Sequence, residues 1–427
     1  MATEEAITVP AESSRTTRAP TAAAPVTVRV HPLDWLRVLA LLGVFVYHSM
    51  RPFDTDDWHV KNVDRSGIVT VILALMAWGL PLFFLLAGAG SGLAMRTRSA
   101  AGYVRERLLR LAVPLAVAYV TLSPLQAFIQ ETQAGRYHDS LVAAVPAFFG
   151  AEWENLRNGP ELPLVLAWSG HLWFLIFLLW FSLLGLPLLV LLRRDAGRRM
   201  VGWLGEHSRR RGAILLWAVP LAVVHAALPA PGSVEHGWGQ FVVFFDVFLA
   251  GAVLLADPRL IVAVRRDLFP ALYVALAATA TFGLAVASGL YDRWSDGPTW
   301  TATSVLVYPL LSVWAWAWMM FALALGLRAA RFGRPLPRPV GAAAMPFFLV
   351  HQPVILAVAY VVVQWHAGIA VKLPAVLGIS LILSAALAFG LSRLPYVSTL
   401  LGVKRVPARA GSARPAVAGR PTGGGAG

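Results

Sequence analysis

LDWLRVLALLGVFVYHSM, residues 33–50, is a near-continuous apolar run that carries an arginine and a histidine, Arg37 and His48, with ten residues between them. Eleven helical steps of 100° leave a remainder of about 20°, so on an α-helix both side chains share one face, roughly 16 Å apart along the axis. An ionisable group inside a hydrophobic span costs about 2.5 to 3.5 kcal/mol on insertion scales, so such groups face a cavity and serve a pathway or a site. The same stretch therefore decides two things. It places the chain in a membrane, and it marks one helical face as functional.

Composition supports the membrane. The 427 residues are 58% hydrophobic, 14% charged and include sixteen Trp. Apolar stretches long enough to cross about 30 Å of hydrocarbon fall near 35–53, 67–94, 109–130, 171–192, 212–229, 238–256, 268–290, 301–327, 343–365 and 373–392. The fold class expected is an all-α integral membrane protein of about ten transmembrane helices. Positively charged loops stay on the cytoplasmic side. With ten alternating spans, all but seven of the 36 Lys and Arg residues lie on one side. The seven exceptions are Arg51, Lys61, Arg65, Arg136, Arg157, Arg293 and Lys372. Both termini are thus expected in the cytoplasm, and the plasma (inner) membrane is the expected location. The net charge of +14, which in a soluble chain would point to nucleic acid, is here a topological signal, and no nucleic-acid partner is expected.

Residues 1–30 lack an apolar core and read as a disordered cytoplasmic tail, not a cleaved signal peptide. Residues 395–427 read as a disordered basic tail, leaving a single membrane domain over 31–394. The longest external segment, 131–170, holds five acids, two arginines and His138, and two readings fit it: a cap over an extracytoplasmic cavity, or a long loop. Arginine-rich, Ala-rich composition points to a GC-rich, bacterial coding sequence. Absence of Cys excludes disulfides, thiolate metal sites and a cysteine nucleophile; no metal site is expected. No phosphate loop, dinucleotide fingerprint, zinc-protease helix or nucleophile elbow is present. The glycine cluster AGAGSG, residues 87–92, reads as close helix packing.

Arg37 and His48 with ten residues between them, Arg107 and Arg110 in YVRERLLRLAVPL, GHLWFLIFLLW from Gly170, and PFFLVHQPV over 346–354 together resemble the type 3 membrane acyltransferases. Within that family LDWLRVLALLGVFVYHSMRPFD, PLFFLLAGAGSG and HGWGQFVVFF are most similar to the glucan succinyltransferase branch. The resemblance spans residues 31 to 394. It implies a membrane enzyme of about ten helices that moves an acyl group from cytoplasmic acyl-CoA, a co-substrate and not a resident cofactor, to a hydroxyl of a carbohydrate or similar glycosylated acceptor. It also implies catalytic roles for His48 and Arg37.

Acyl transfer from a thioester to an alcohol needs a base, donors for a developing oxyanion and a cradle for the anionic donor. His48 suits the base, since imidazole is substantially neutral near neutrality. Arg107 and Arg110, three apart at the cytoplasmic start of the third span, with Arg105, are the candidates for the phosphates of coenzyme A; loop arginines also arise from topology alone. The Arg37 to His48 face is expected to line a tunnel for the pantetheine arm.

Weaker acceptor-side candidates are Asp34, His171, Trp173, Asp246 and His351. Asp34 either pairs with Arg37 or answers the helix dipole. His171 and Trp173 open the fourth span, where interfacial Trp is also ordinary. His351, beside Gln352 and Pro353, suits site lining and interhelical hydrogen bonding equally. Asp246 and His225 are intramembrane polar groups without an evident partner. A carrier or flippase is the alternative function, although the two halves carry no matching interrupted helices of the kind transporters show.

Overall fold

The computed structural model describes residues 31–158, 169–228, 238–290, 302–329 and 335–403, and among them every regular element is helical. The tail expected over 1–30, most of the one over 395–427, and residues 159–168 of the long external segment lie outside the described residues. Among the described residues seven helices are long and apolar enough to cross a membrane: Pro32–Phe53, Gly67–Met95, Ala100–Gln133, Leu268–Ala287, Leu306–Ala329, Arg338–Val362 and Ile369–Arg393. The protein is an all-α, multi-pass membrane protein.

The elements are α1 (His31–Met50), α2 (Gly67–Met76), α3 (Gly79–Met95), α4 (Ala100–Arg107), α5 (Val113–Gln133), α6 (Leu141–Asn158), α7 (Trp173–Leu184), α8 (Leu186–Leu191), α9 (Asp195–His207), α10 (Ala218–Ala227), α11 (Trp238–Leu254), α12 (Pro258–Arg266), α13 (Leu268–Ala287), α14 (Ala302–Ala329), α15 (Arg338–Val362), α16 (Ile369–Arg393) and α17 (Pro395–Leu400). Three of the ten expected crossings are not among those seven. The 171–192 stretch is divided at Gly185 with Pro187 just beyond it, and twelve-residue α7 rises only about 18 Å. The 212–229 stretch opens as a 3-10 turn over Ala213–Trp217 before ten-residue α10. α11 and α12 meet at a 109° bend, where Asp257 caps α12 and Pro258 opens it.

Close helix approach is set by small residues. A Cβ on Gly88 or Gly251 would collide with the Phe248 or Leu85 carbonyl oxygen respectively, so α3 and α11 touch backbone to backbone, as small residues allow in membranes. AGAGSG thus packs as the sequence reading has it, with one addition. A Cβ on Gly90 would strike the Arg37 guanidinium, so this glycine seats the arginine of α1.

Proline has no N–H to give the carbonyl four residues back. Pro114 deprives the Arg110 carbonyl in this way, and the chain over Leu108–Ala112 widens into a π-turn in which Val113 N–H donates to the Leu108 carbonyl. Such turns recur at functional sites, and this one carries Arg110.

The external segment differs from both expected readings. Phe128 meets Tyr137 at 5.9 Å between ring centroids, and Tyr119 meets Phe148 at 5.8 Å. As the chain moves forward along α6 its partners move backward along α5, so the two form an antiparallel hairpin. Tyr119 Oη donates to Glu152 Oε2 at 2.7 Å, and Tyr119 lies fourteen residues, about 21 Å, below the end of α5. α6 therefore runs back alongside a membrane-spanning helix, with Val142, Val145, Phe149, Trp153 and Leu156 exposed. It is neither a detached cap nor an irregular loop.

Candidate active site

α1 packs against α15 and α3, with the Phe45 and Phe347 rings 5.7 Å apart. That contact brings His48, at the end of α1, onto His351 of α15. His48 Nδ1 and His351 Nε2 are 3.0 Å apart, and the rings stack at 5.2 Å with an interplanar angle of 11°. The chain just before α7 supplies a third histidine. His171 meets the His351 ring edge-on at 5.0 Å.

The sequence around His351 explains why these rings have defined tautomers. Pro353 cannot donate to the carbonyl of Leu349 four residues back, and His171 Nε2–H fills that vacancy at 3.1 Å. His351 Nδ1 lies 2.6 Å from the Phe348 carbonyl oxygen, which can only accept, so Nδ1 carries the hydrogen. In a neutral imidazole the other nitrogen then has the lone pair. His351 Nε2 accepts, His48 Nδ1–H donates to it, and the lone pair of His48 is left on Nε2. A histidine held this way through one nitrogen presents the other as a base. His351 is fully buried while His48 is only partly so, which makes His48 the more accessible member of the pair.

Next to the cluster, residues 51–66 form a tight strap between α1 and α2. Buried Asp54 accepts from Arg51 Nη1 at 2.5 Å and from the Lys61 ammonium. Partial burial pulls the Lys61 ammonium below its ordinary value, against the hydrogen bond and charge of Asp54, which raise it. Asn62 N–H donates to the Pro52 carbonyl at 2.9 Å, and Lys372 Nζ of α16 donates to Asn62 Oδ1 at 3.0 Å. The strap carries Trp58 over His48, rings 6.3 Å apart and 23° from parallel, and His59 against Gln130 of α5. Neither Trp58 nor His59 was singled out by the sequence reading; the signal was a polar run, RPFDTDDWHVKNVDR, too rich in charge for a plain hairpin between two spans.

The other end of α1 gathers arginines. Arg37 Nη1 donates to Asp34 Oδ1 at 3.2 Å and Nη2 to the Leu86 carbonyl at 2.9 Å, so Asp34 does pair with it. Arg107 donates to Ser91 Oγ at 3.1 Å and lies 4.9 Å from the centre of the Tyr103 ring. Arg110 pairs with Glu106 at 3.3 Å. Arg37, against Gly90, and Arg107, on Ser91, thus meet adjacent residues of α3, whereas Arg105 sits on the exposed side of α4.

The remaining candidates lie outside both groups. Trp173 belongs to an aromatic core with Phe177 and Phe244, at 5.2 and 6.2 Å between rings. His225 Nδ1 hydrogen-bonds Ser312 Oγ of α14 at 3.0 Å and packs on Tyr308, an interhelical tie. Asp246, on α11, reaches no hydrogen-bond partner among the described residues and does not join the histidines. Among the described residues no group of three His, Asp or Glu side chains is arranged to hold a metal ion.

A histidine cluster lies at one end of α1 and arginines at the other. The family model for an acyltransferase domain of type 3 matches residues 30–393. The chain belongs to the acyltransferase-3 family. It is a membrane acyltransferase. The comparison with curated proteins gives no match, and neither does that with solved structures. In this acyltransferase the matched region runs from the first residue before α1 to the last of α16, so both residue clusters fall inside it.

Proposed function

We propose that this acyltransferase moves an acyl group from cytoplasmic acyl-CoA to a hydroxyl of a carbohydrate or glycosylated acceptor, with His48 as general base. The observation that carries the reading is the chain of hydrogen bonds from the Phe348 carbonyl through His351 to His48, which leaves Nε2 as a base. In the reaction Nε2 takes the proton of the acceptor hydroxyl as its oxygen bonds to the thioester carbonyl carbon. Collapse of the intermediate breaks the C–S bond, and the thiolate of coenzyme A receives the proton. General-base help of this kind contributes about 10² to 10⁴ in rate.

Arg107 and Arg110, with Arg37 beside them, are the proposed cradle for the donor phosphates, because guanidinium groups engage phosphate through paired N–H donors. The separation of Arg37 from His48, roughly 16 Å along α1, is comparable to the reach of an extended pantetheine arm, which would run between them along the α1 face. The finer topology proposed is ten crossings with both termini in the cytoplasm of a bacterial inner membrane. It counts the bent α11, the short segment opened by Gly170–Leu172 and the one over Ala213–Ala227 as crossings. Succinylation of a glucan is the branch-level reading, supported by the LDWLRVLALLGVFVYHSMRPFD resemblance.

Membrane vesicles given labelled acetyl-CoA or succinyl-CoA on the cytoplasmic face test this. Acyl product formed by the wild type and abolished in His48→Ala supports the reading. Acceptor movement without acyl transfer would replace it with a carrier.

A further inference from the structure

A cavity of about 450 Å³ opens where the end of α3, the turn from α8 into α9 and the bend between α11 and α12 meet. Arg96, Arg193 and Arg198 line it with Leu192, Leu255 and Ile261. A smaller cavity of about 60 Å³ shares Arg96 and Arg193 with it and reaches Gly92. Among the described residues no Asp or Glu lines either space. The transfer chemistry uses none of these arginines. Gly88 and Gly92 both face α11, where a Cβ on Gly92 would lie 3.0 Å from the Ala252 carbonyl oxygen, and Arg96 continues that face one turn on. Gly90 and Ser91, where Arg37 and Arg107 sit, lie about 120° and 140° round the helix from Arg96. The cavity is therefore separate from the arginines assigned to the donor.

Main-chain carbonyls, not carboxylates, fix two of the three guanidinium groups. Arg96 Nη2 donates to the Leu255 carbonyl at 2.5 Å and to that of Ala256 at 3.3 Å. Arg193 Nη1 donates to the Arg98 carbonyl at 2.9 Å. Arg198 Nη1 donates in turn to the Arg193 carbonyl at 2.6 Å, and its Nη2 to Asp195. Asp257, beside the cavity wall, is committed to Arg259 at 2.8 Å. A carbonyl orients a guanidinium without cancelling its charge, and each group keeps further N–H donors. Arg98 and Arg110, by contrast, share Glu106. Positive charge that is held in place and left unneutralised beside a cavity suits an anion.

We propose that this cavity binds the phosphate of an acidic phospholipid, whose headgroup ties the end of α3 to the α8–α9 turn and the α11–α12 bend. Guanidinium groups engage phosphate through paired N–H donors, and the leucine and isoleucine walls suit the apolar remainder of a lipid. The surrounding helices favour a lipid over a soluble anion. Met200 and Trp203 of α9 and Val262 of α12 are exposed apolar side chains on short helices that also carry arginines. Amphipathic helices of that kind lie at headgroup level, where Trp is enriched and where basic pockets between membrane helices take lipid phosphates.

The test titrates full-length protein in a neutral detergent with phosphatidylglycerol, or with phosphatidylcholine of the same chain length. Phosphatidylglycerol is expected to raise the thermal midpoint by about 3 °C or more at saturation, and phosphatidylcholine by less than about 1 °C. In Arg193→Gln the half-saturating concentration of phosphatidylglycerol should rise about tenfold, the loss of one charge-assisted contact. Arg193 is exposed, so the substitution leaves the core intact; Arg198→Gln carries the same expectation should Arg193→Gln misfold. Arg107→Ala should keep the wild-type response to the lipid. Equal shifts from the two lipids, or a response unmoved in Arg193→Gln, would overturn the proposal. Inorganic phosphate matching phosphatidylglycerol at equal concentration would overturn the lipid in favour of a soluble anion, and protection by coenzyme A that is lost in Arg193→Gln would give the cavity to the donor instead. None of these readouts needs turnover, so loss of the acyl-transfer reading would leave this one standing, and the reverse.

Discussion

The two ends of the Arg37 to His48 face are built on opposite plans. At one end His48, His171 and His351 come from three segments far apart in sequence and are linked ring to ring and ring to backbone carbonyl. At the other end Arg107 and Arg110 are near neighbours, with Glu106 beside them and Arg37 of α1 on the same stretch of α3 as Arg107. Chemistry on a proton needs a fixed tautomer, which only rigid, desolvated partners can impose. Holding a multiply charged donor needs field strength and reach, which flexible guanidinium groups supply while half exposed to water. One end is precise and costly to assemble; the other is tolerant and cheap.

That contrast can be broken by substitution. The largest effect is expected from His48→Ala, a fall of about 10² to 10⁴ in acyl transfer with an unaltered thermal midpoint, read in vesicles with labelled acyl-CoA. His351→Leu should cost about 10- to 100-fold, the usual range for a partner that orients a reacting group. Its signature is a lower kcat with KM for either substrate little changed, together with a displaced pH–rate profile, because His48 loses the acceptor that fixes its Nδ1–H. A mutant with full kcat would show that the tautomer is set elsewhere.

Arg107→Ala is expected to raise the KM for acyl-CoA about tenfold, the loss of one charge-assisted contact, while leaving acceptor KM alone. Arg110→Ala should act in the same direction, and equal donor binding in both variants would remove the inner cluster from donor recognition. The smallest effect sharpens the boundary of the site. Asp246→Asn, on α11 and outside both clusters, should change acyl transfer by less than about twofold, within the range of substitutions that touch no special feature.

Legibility followed the range of the interactions. Arg37 and His48 could be paired from one helix because their geometry depends only on 3.6 residues per turn. His171 and His351 were visible as residues in distinctive motifs, but one sequence does not reveal that Pro353 frees the very carbonyl that His171 then occupies. Asp34 could be assigned two roles locally, and contact with Arg37 is the one the packing realises. Trp173 carried no local mark separating a site residue from a core aromatic, and its neighbours Phe177 and Phe244 put it in the core. α6 was misread for a different reason. Its apolar stripe, Val142, Val145, Phe149 and Trp153, has helical spacing, but five acids fall in 131–170, and only the packing shows Tyr119 Oη donating to Glu152.

The chain alone determined that the protein is helical and membrane-embedded, and that Arg37 and His48 share one face of α1, because hydropathy and helical period are properties of contiguous residues. Which nitrogen of His48 is free and which carbonyls Arg37 and His171 reach were decided by tertiary structure. Each depends on contacts between segments far apart in the chain, such as His171 with Leu349 and Arg37 with Leu86, and such contacts leave no trace in local sequence.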